Sequence, residues 1–224
     1  MISIAIDGPS GAGKSTISRA VAAKLGYIYA DTGALYRAAA LAWFRAHPGA
    51  EPNETASFVY PPITLKYIDG VQRTLLGGED VSDSIRTPEI SQLASKLSAL
   101  PSVRELLLET QRTIASENNV VMDGRDIGTV VLPNAQIKIF LTASAEERAG
   151  RRFDELKERG VNTDYETVLR EVNERDERDR NRTVSPTRPA PDALTVDTTG
   201  NSLEKSIGVF EQIITERLAV LNVV

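Results

Sequence analysis

The sequence predicts an α/β fold: a parallel sheet covered by helices on both faces. Two observations carry this. Five short apolar segments, near residues 2–6, 27–30, 120–122, 137–141 and 194–196, have the length of buried strands. Stretches with three- and four-residue apolar spacing separate them, as crossover helices separate parallel strands. A third observation is an interruption. Between residues 61 and 82 the apolar residues alternate, which marks a small antiparallel sheet inserted among the strand–helix units.

Taken in order, Ile2 to Ile6 reads as a first strand, and Ile17, Ala20, Val21 and Leu25 as one face of a helix. Gly26 ends that helix, Tyr27-Ile-Tyr29-Ala is a second strand, and Asp31-Thr32-Gly33 is expected to turn the chain into a helix from Ala34 to Ala46. His47, the only histidine, is expected at the surface of the Pro/Gly-rich loop that follows. Ile63 to Ile68 and Gln72 to Leu76 alternate around Asp69-Gly70, a hairpin turn signal. Thr87-Pro88 and Pro101 open two further helices. Ser144-Ala-Glu-Glu147 and Thr163-Asp-Tyr-Glu166 read as capping boxes for two more. After a proline-rich loop, 183–192, comes a last strand, Leu194 to Asp197, and a final helix capped by Asn201 or Ser202.

Composition narrows the function. With 41% hydrophobic and 25% charged residues over 224 positions, the chain is an ordinary globular protein. It has no cysteine, which excludes disulfides and thiolate metal sites. A net charge of −5 argues against a general nucleic-acid binder. No apolar run approaches the roughly 20 residues of a membrane span, and no basic leader precedes the first strand. The expectation is a cytoplasmic protein.

The chemistry starts between the first strand and first helix. Gly8, Pro9, Ser10, Gly11, Ala12, Gly13, Lys14, Ser15 and Thr16 fit G-x-x-x-x-G-K-[ST] in its required strand–loop–helix setting. Glycines let the backbone curl so that its N–H groups point at phosphate oxygens, and the helix adds the positive end of its dipole. Lys14 is expected to neutralise the outer phosphates and Ser15 to ligate Mg²⁺. A glycine-rich turn without a ligand is the plain alternative, but every fixed position and both flanking elements fit the loop. Asp123-Gly124-Arg125-Asp126 follows a strand, where Asp123 is placed to hold Mg²⁺ through its water shell. Parallel sheets bind ligands beyond the carboxyl ends of their strands, so the turns at 8–15, 31–33, 123–128 and 197–200 should meet in one cleft.

Arg148, Arg151, Arg152, Arg175, Arg178, Arg180, Arg182 and Arg188 crowd one segment in which Lys157 is the sole lysine. Interspersed acids make some of these a solvated ion-paired face. Guanidinium groups also suit phosphate and a transferring phosphoryl group, so several are expected to close over phosphates, with Arg148 and Arg152 carried by a lid at 148–170 that excludes water. No histidine base is apparent. A phosphate-monoester acceptor needs none, because its second pKa of about 6 leaves its oxygen anionic near neutrality. A phosphate loop, many arginines and no base fit a nucleoside-monophosphate kinase.

Several motifs resemble the bacterial cytidylate kinases, over nearly the whole chain: Ile6 to Lys14, Asp31-Thr-Gly-Ala-Leu-Tyr-Arg37, Gly78 to Ser82 with Ile85-Arg86, Asp123 to Thr129, and Glu174 to Arg182. The resemblance implies a P-loop kinase core at 1–31, 101–147 and 171–224, a monophosphate-binding region at 32–100 with its β insert at about 62–82, and the lid. It implies transfer of the ATP γ-phosphoryl group to CMP or dCMP with Mg²⁺, in a monomer. It further implies that Thr32 and Tyr36 line the CMP pocket, that Arg37, Arg125 and Arg175 bind the CMP phosphate, and that Arg182 bridges to the transferring group. Ser95, Arg104 and Asp126 match positions that read cytosine, and Asp179 one that accepts from the sugar. A kinase for UMP, AMP or a metabolite, and a regulatory protein that binds nucleotide without turnover, are the alternatives.

Overall fold

The computed structural model describes residues 1–53 and 58–221. Strands β1 (Ser3–Asp7), β2 (Ile28–Asp31), β6 (Val120–Gly124), β7 (Ile137–Thr142) and β8 (Leu194–Asp197) form one parallel sheet in the order β2-β6-β1-β7-β8. The strand that enters the phosphate loop is thus central, paired with β6 on one side and β7 on the other. Register brings the strand ends level. Asp31 lies opposite Asp123, Asp7 opposite Gly124, and Thr142 opposite Asp197. The expected convergence of the turns on one edge of the sheet follows.

Both sheet faces are covered, and the strand period shows why. Ile4 and Ile6 point to one face, where they pack with Ile17 and Val21 of α1 (Lys14–Leu25) and Phe210 and Ile214 of α7 (Leu203–Val220). Ala5, between them, faces Met122 and Ala115 on the other side, where α4 (Pro101–Glu117) lies. Burying each such large side chain stabilises the fold by about 1.5–3 kcal/mol. A second core joins α2 (Thr32–Ala46), α3 (Pro88–Leu97) and the small sheet β3 (Ile63–Ile68), β4 (Val71–Leu76), β5 (Glu79–Asp80) around Leu35, Trp43, Ile85 and Leu97. Asp69 and Gly70 both take positive φ, 52° and 75°, the backbone of a tight hairpin turn. Helices α5 (Ala145–Glu158) and α6 (Tyr165–Asn181) share a small core of their own, Ala149, Leu156, Val168 and Val172.

Four local expectations are corrected. Asp31 does not sit in a free turn. It ends β2 and its carboxylate accepts from the Ala34 amide at 3.1 Å, so α2 begins at Thr32. Asp164, not Thr163, caps α6, because its two oxygens take both the amide and the hydroxyl of Thr167. His47 is not a free surface residue. One turn beyond Trp43 on the same helix face, it stacks on that ring at 4.2 Å and meets Phe58 edge-on. Ser144 caps α5 as expected, but Glu147 does not close the box. Its carboxylate accepts instead from the Gly200 amide and Arg151.

Candidate active site

The phosphate loop is shaped by glycines that no other residue could replace without strain. Gly8, Gly11 and Gly13 have φ of 148°, 75° and 90°, and a Cβ on Gly8 would lie 2.0 Å from the Leu141 carbonyl oxygen. Lys14 is buried at the start of α1, and its Nζ donates to the Pro9 carbonyl at 2.7 Å. Burial, and then the charge of Arg125, hold its ammonium well below the usual lysine range, against the opposing pull of Asp123 and Asp7.

Asp123, at the end of β6, is met from three elements. The Ser15 hydroxyl donates to its Oδ2 at 2.8 Å, Tyr29 Oη donates to its Oδ1 at 3.2 Å, and Thr32 Oγ1 donates to its backbone carbonyl at 2.8 Å. Burial, and then the charge of Asp31, push its carboxyl above the usual carboxylate range. Ser15 and Asp123 make an all-oxygen donor pair beside the phosphate loop. That pair fits Mg²⁺, which takes one or two protein oxygens and completes its shell with water and substrate phosphates. Among the described residues no group of three or more His, Cys, Asp or Glu offers a closed metal cage.

Across the cleft stand the arginines. Arg37 pairs with Asp31 at 2.8 Å. Arg125 donates to Asp179 Oδ2 at 3.1 Å and to the Gly124 carbonyl. Arg175 approaches Asp179 at 3.9 Å, too far for a hydrogen bond. It is lowered to about 10 by burial first and then by Arg125, with Arg37 and Arg152 acting in the same sense. Its side chain keeps 31% exposure. The Nε atoms of Arg37 and Arg175 are both buried and lack a hydrogen-bond partner. Asp179 carries the opposite balance. Burial would raise it, but Arg125, Arg175 and Arg182 hold it below the usual range.

A second group lies further along. Arg104 is ion-paired with Asp126, and its other amino nitrogen donates to the Ser98 carbonyl at 3.0 Å. The Tyr36 ring lies 5.6 Å beneath Arg104. Arg182 donates to Ser98 Oγ and comes within 3.9 Å of Asp126. It therefore stands with Arg104 and Asp126 as much as with Arg125 and Arg175. Ser95 accepts from Arg178 at 3.4 Å.

The structure separates the segment rich in arginine. Arg148 is buried and fully engaged: it donates to the Ala143 carbonyl, to the Ser10 carbonyl in the phosphate loop, and to Asp176 on α6. It ties the loop to α6 rather than facing the cleft. Arg152 pairs with Glu155 on its own helix yet lies near enough to Arg175 to affect it. Sequence reasoning missed Asp7, Tyr29, Ser98 and the cap role of Asp31. The one available signal was position, since Asp7 directly precedes the first loop glycine and Tyr29 and Asp31 close the second strand.

The family model for cytidylate kinase matches residues 4–217. The chain belongs to the cytidylate kinase family. A cytidylate kinase of Carboxydothermus hydrogenoformans is 50% identical over 220 residues, covering 97% of this chain and 99% of that protein. A cytidylate kinase of Klebsiella pneumoniae (strain 342) is 47% identical over 219 residues, covering 97% and 96%. Among solved structures, a shikimate kinase from Bacteroides thetaiotaomicron aligns over 97% of this chain and 98% of its own with a TM-score of 0.50 at 14% identity. That likeness is one of fold alone. An uncharacterised protein from Eubacterium ventriosum aligns at a TM-score of 0.55 and 12% identity, over 96% of this chain and 99% of its own. Membership of the cytidylate kinase family makes the chain an ATP-dependent phosphotransferase.

Proposed function

We propose that this enzyme transfers the γ-phosphoryl group of ATP to CMP or dCMP by charge neutralisation and positioning, without a general base. The observation that carries the reading is the meeting of two cation sets. Lys14 of the phosphate loop feels the charges of Arg125 and Arg175, which sit among Arg37 and Arg152 with buried donors left over. Such a site suits two phosphate groups brought end to end, and an acceptor that is already anionic needs no proton removed.

In this reading the backbone amides from Gly8 to Thr16 and Lys14 hold the donor phosphates. Arg37, Arg125 and Arg175 hold the acceptor phosphate, and Arg152 joins them from α5. Arg148 serves by keeping the loop and α6 in register. Mg²⁺, held by Ser15 and through water by Asp123, would supply charge neutralisation on the donor phosphates. Ser95, Arg104, Asp126 and Arg182 form the base end, above Tyr36 and near Thr32. An amino group on the base satisfies Asp126, and a base lacking it leaves a buried carboxylate short of a partner. Asp179 accepts from the sugar. We assign 1–31, 101–147 and 171–224 to the core, 32–100 to the monophosphate-binding part and 148–170 to the lid. Among the described residues no helix is long and apolar enough to cross a membrane. A cytoplasmic monomer that does not bind nucleic acid is the corresponding proposal.

The test is release of ADP with CMP, dCMP, UMP, AMP and GMP as acceptors in the presence of Mg²⁺. Turnover confined largely to the two cytidine nucleotides is expected, and no turnover with either would overturn the proposal. ATP binding without transfer to any acceptor would instead favour a regulatory role.

A further inference from the structure

Asp7 is the last residue of β1 and directly precedes the phosphate loop. It is buried, and each of its carboxylate oxygens accepts a backbone N–H at 2.7 Å, Oδ1 from Ile127 and Oδ2 from Gly128. These are the first amides of a single π-helical turn, Ile127–Val131, that follows Arg125 and Asp126. The β1–β6 ladder ends where Asp7 lies opposite Gly124. Beyond that point the chain leaves the sheet, and Asp7 catches it again three residues later. Arg125 and Asp126 are therefore the two residues strung between two fixed points.

We infer that Asp7 is a positioning residue, whose carboxylate fixes the turn bearing Arg125 and Asp126 at a set distance from the phosphate loop. This rests on the reading of that turn as part of the acceptor site. From there Arg125 reaches Asp179, and Asp126 reaches Arg104, so one anchor serves both the phosphate end and the base end of the acceptor. A carboxylate is required because two amides converge on one side chain. Asparagine has one acceptor oxygen, and its NH₂ would face the second N–H.

The two sides of the cleft depend on Asp7 unequally. The phosphate loop has other supports, from Arg148 on the Ser10 carbonyl and Arg151 on the Ala12 carbonyl. On the acceptor side Arg112 holds the far end of the turn at the Val130 and Val131 carbonyls, and Asp7 holds the near end, the Ile127 and Gly128 amides that follow Arg125 and Asp126. Weakening this anchor should therefore loosen the acceptor turn and spare the donor loop.

The experiment is Asp7→Asn, with Kd for CMP and for ADP measured by calorimetry at pH 8 beside kcat, and folding checked by near-UV circular dichroism. A loss of one bond between amide and carboxylate is expected to weaken CMP about tenfold or more, with ADP within about threefold of wild type and kcat reduced. In an Asp126→Ala background the same change should cost much less, because the two residues act as one unit. An unchanged CMP affinity, an equal loss for ADP, or full additivity overturns the inference. Should Asp7→Asn not fold, Asp7→Glu keeps the charge but displaces both acceptor oxygens from the Ile127 and Gly128 amides, and must show the same selective loss of CMP. Wild-type protein that fails to bind CMP would refute the acceptor-site reading itself, and this inference with it. Failure of the variants alone leaves that reading standing.

Discussion

The Ser15 hydroxyl donates to Asp123 Oδ2 at 2.8 Å, although the two residues are 108 positions apart. Ser15 lies in the first turn of α1 and Asp123 next to last in β6, and the pairing of β1 with β6 brings the two together. Replacing Asp123 by Asn should lower kcat on the order of a hundredfold, the scale of losing one preorganised charged contact in a transferring site. CMP affinity should change less than about threefold, because no acceptor residue is removed. Titrating Mg²⁺ in the steady-state assay should show saturation at higher metal concentration. Unaltered kcat and metal dependence would remove Asp123 from the metal site.

Arg175 is expected to matter for transfer far more than for folding. Arg175→Ala should reduce kcat/KM on the order of 10²- to 10³-fold, since a charge-assisted contact to the acceptor phosphate is lost. Besides Asp179, the charges acting on it are the other cations Arg125, Arg37 and Arg152, so thermal stability should hold or rise. Near-normal kcat/KM would exclude it from the site, and a large fall in melting temperature would assign it a structural role.

Discrimination should reside at Asp126. Asp126→Asn keeps the shape but leaves Arg104 without its ion pair. The ratio of kcat/KM for CMP over UMP should fall about a hundredfold, mostly from loss of CMP activity, because the wild-type site penalises a base that cannot donate to it. A ratio within threefold of wild type would move base recognition elsewhere.

Asp7 gives a pH dependence with a definite sign. An unfolded aspartate loses its proton near pH 4, whereas burial pushes the folded Asp7 carboxyl up to about 7, despite its two amide bonds and nearby Lys14. The folded state therefore holds a proton that the unfolded state has released. Asp7's contribution to stability is complete below about pH 4 and is lost as pH rises through about 7. Denaturant unfolding of wild type and Asp7→Asn across that range should show a stability difference that falls with pH, by on the order of 4 kcal/mol at full shift, and levels above about pH 8. A flat difference would contradict it.

Much of this architecture can be read from residue pattern alone, because its determinants are local. The loop glycines need positive φ, Asp69-Gly70 needs a tight turn, and Ser144 needs only the amide three residues on. The arginines are harder. On α6, Val168, Val172, Arg175 and Asp179 recur at helical spacing, and Val168, Val172 and Asp179 are buried. A hydrophobic stripe that changes into a polar one gives no apolar signal past Val172, so Arg175 looks like any member of an ion-paired face. Arg148 resembles a cleft residue for the same reason, and its partners Ser10 and Asp176 lie 138 and 28 positions away. Asp7 is less legible still, because its partners are backbone amides 120 residues distant, which leave no mark in side-chain pattern.

The crowding of Arg37, Arg125, Arg152 and Arg175 has a consequence for the economy of the whole molecule. These groups repel one another, with Asp31, Asp179 and Glu155 interleaved at close range. A dianion arriving there completes an unfinished ion lattice. On the proposed assignment of these arginines to the acceptor phosphate, that phosphate, more than the sugar or base, would serve as a missing internal strut among them.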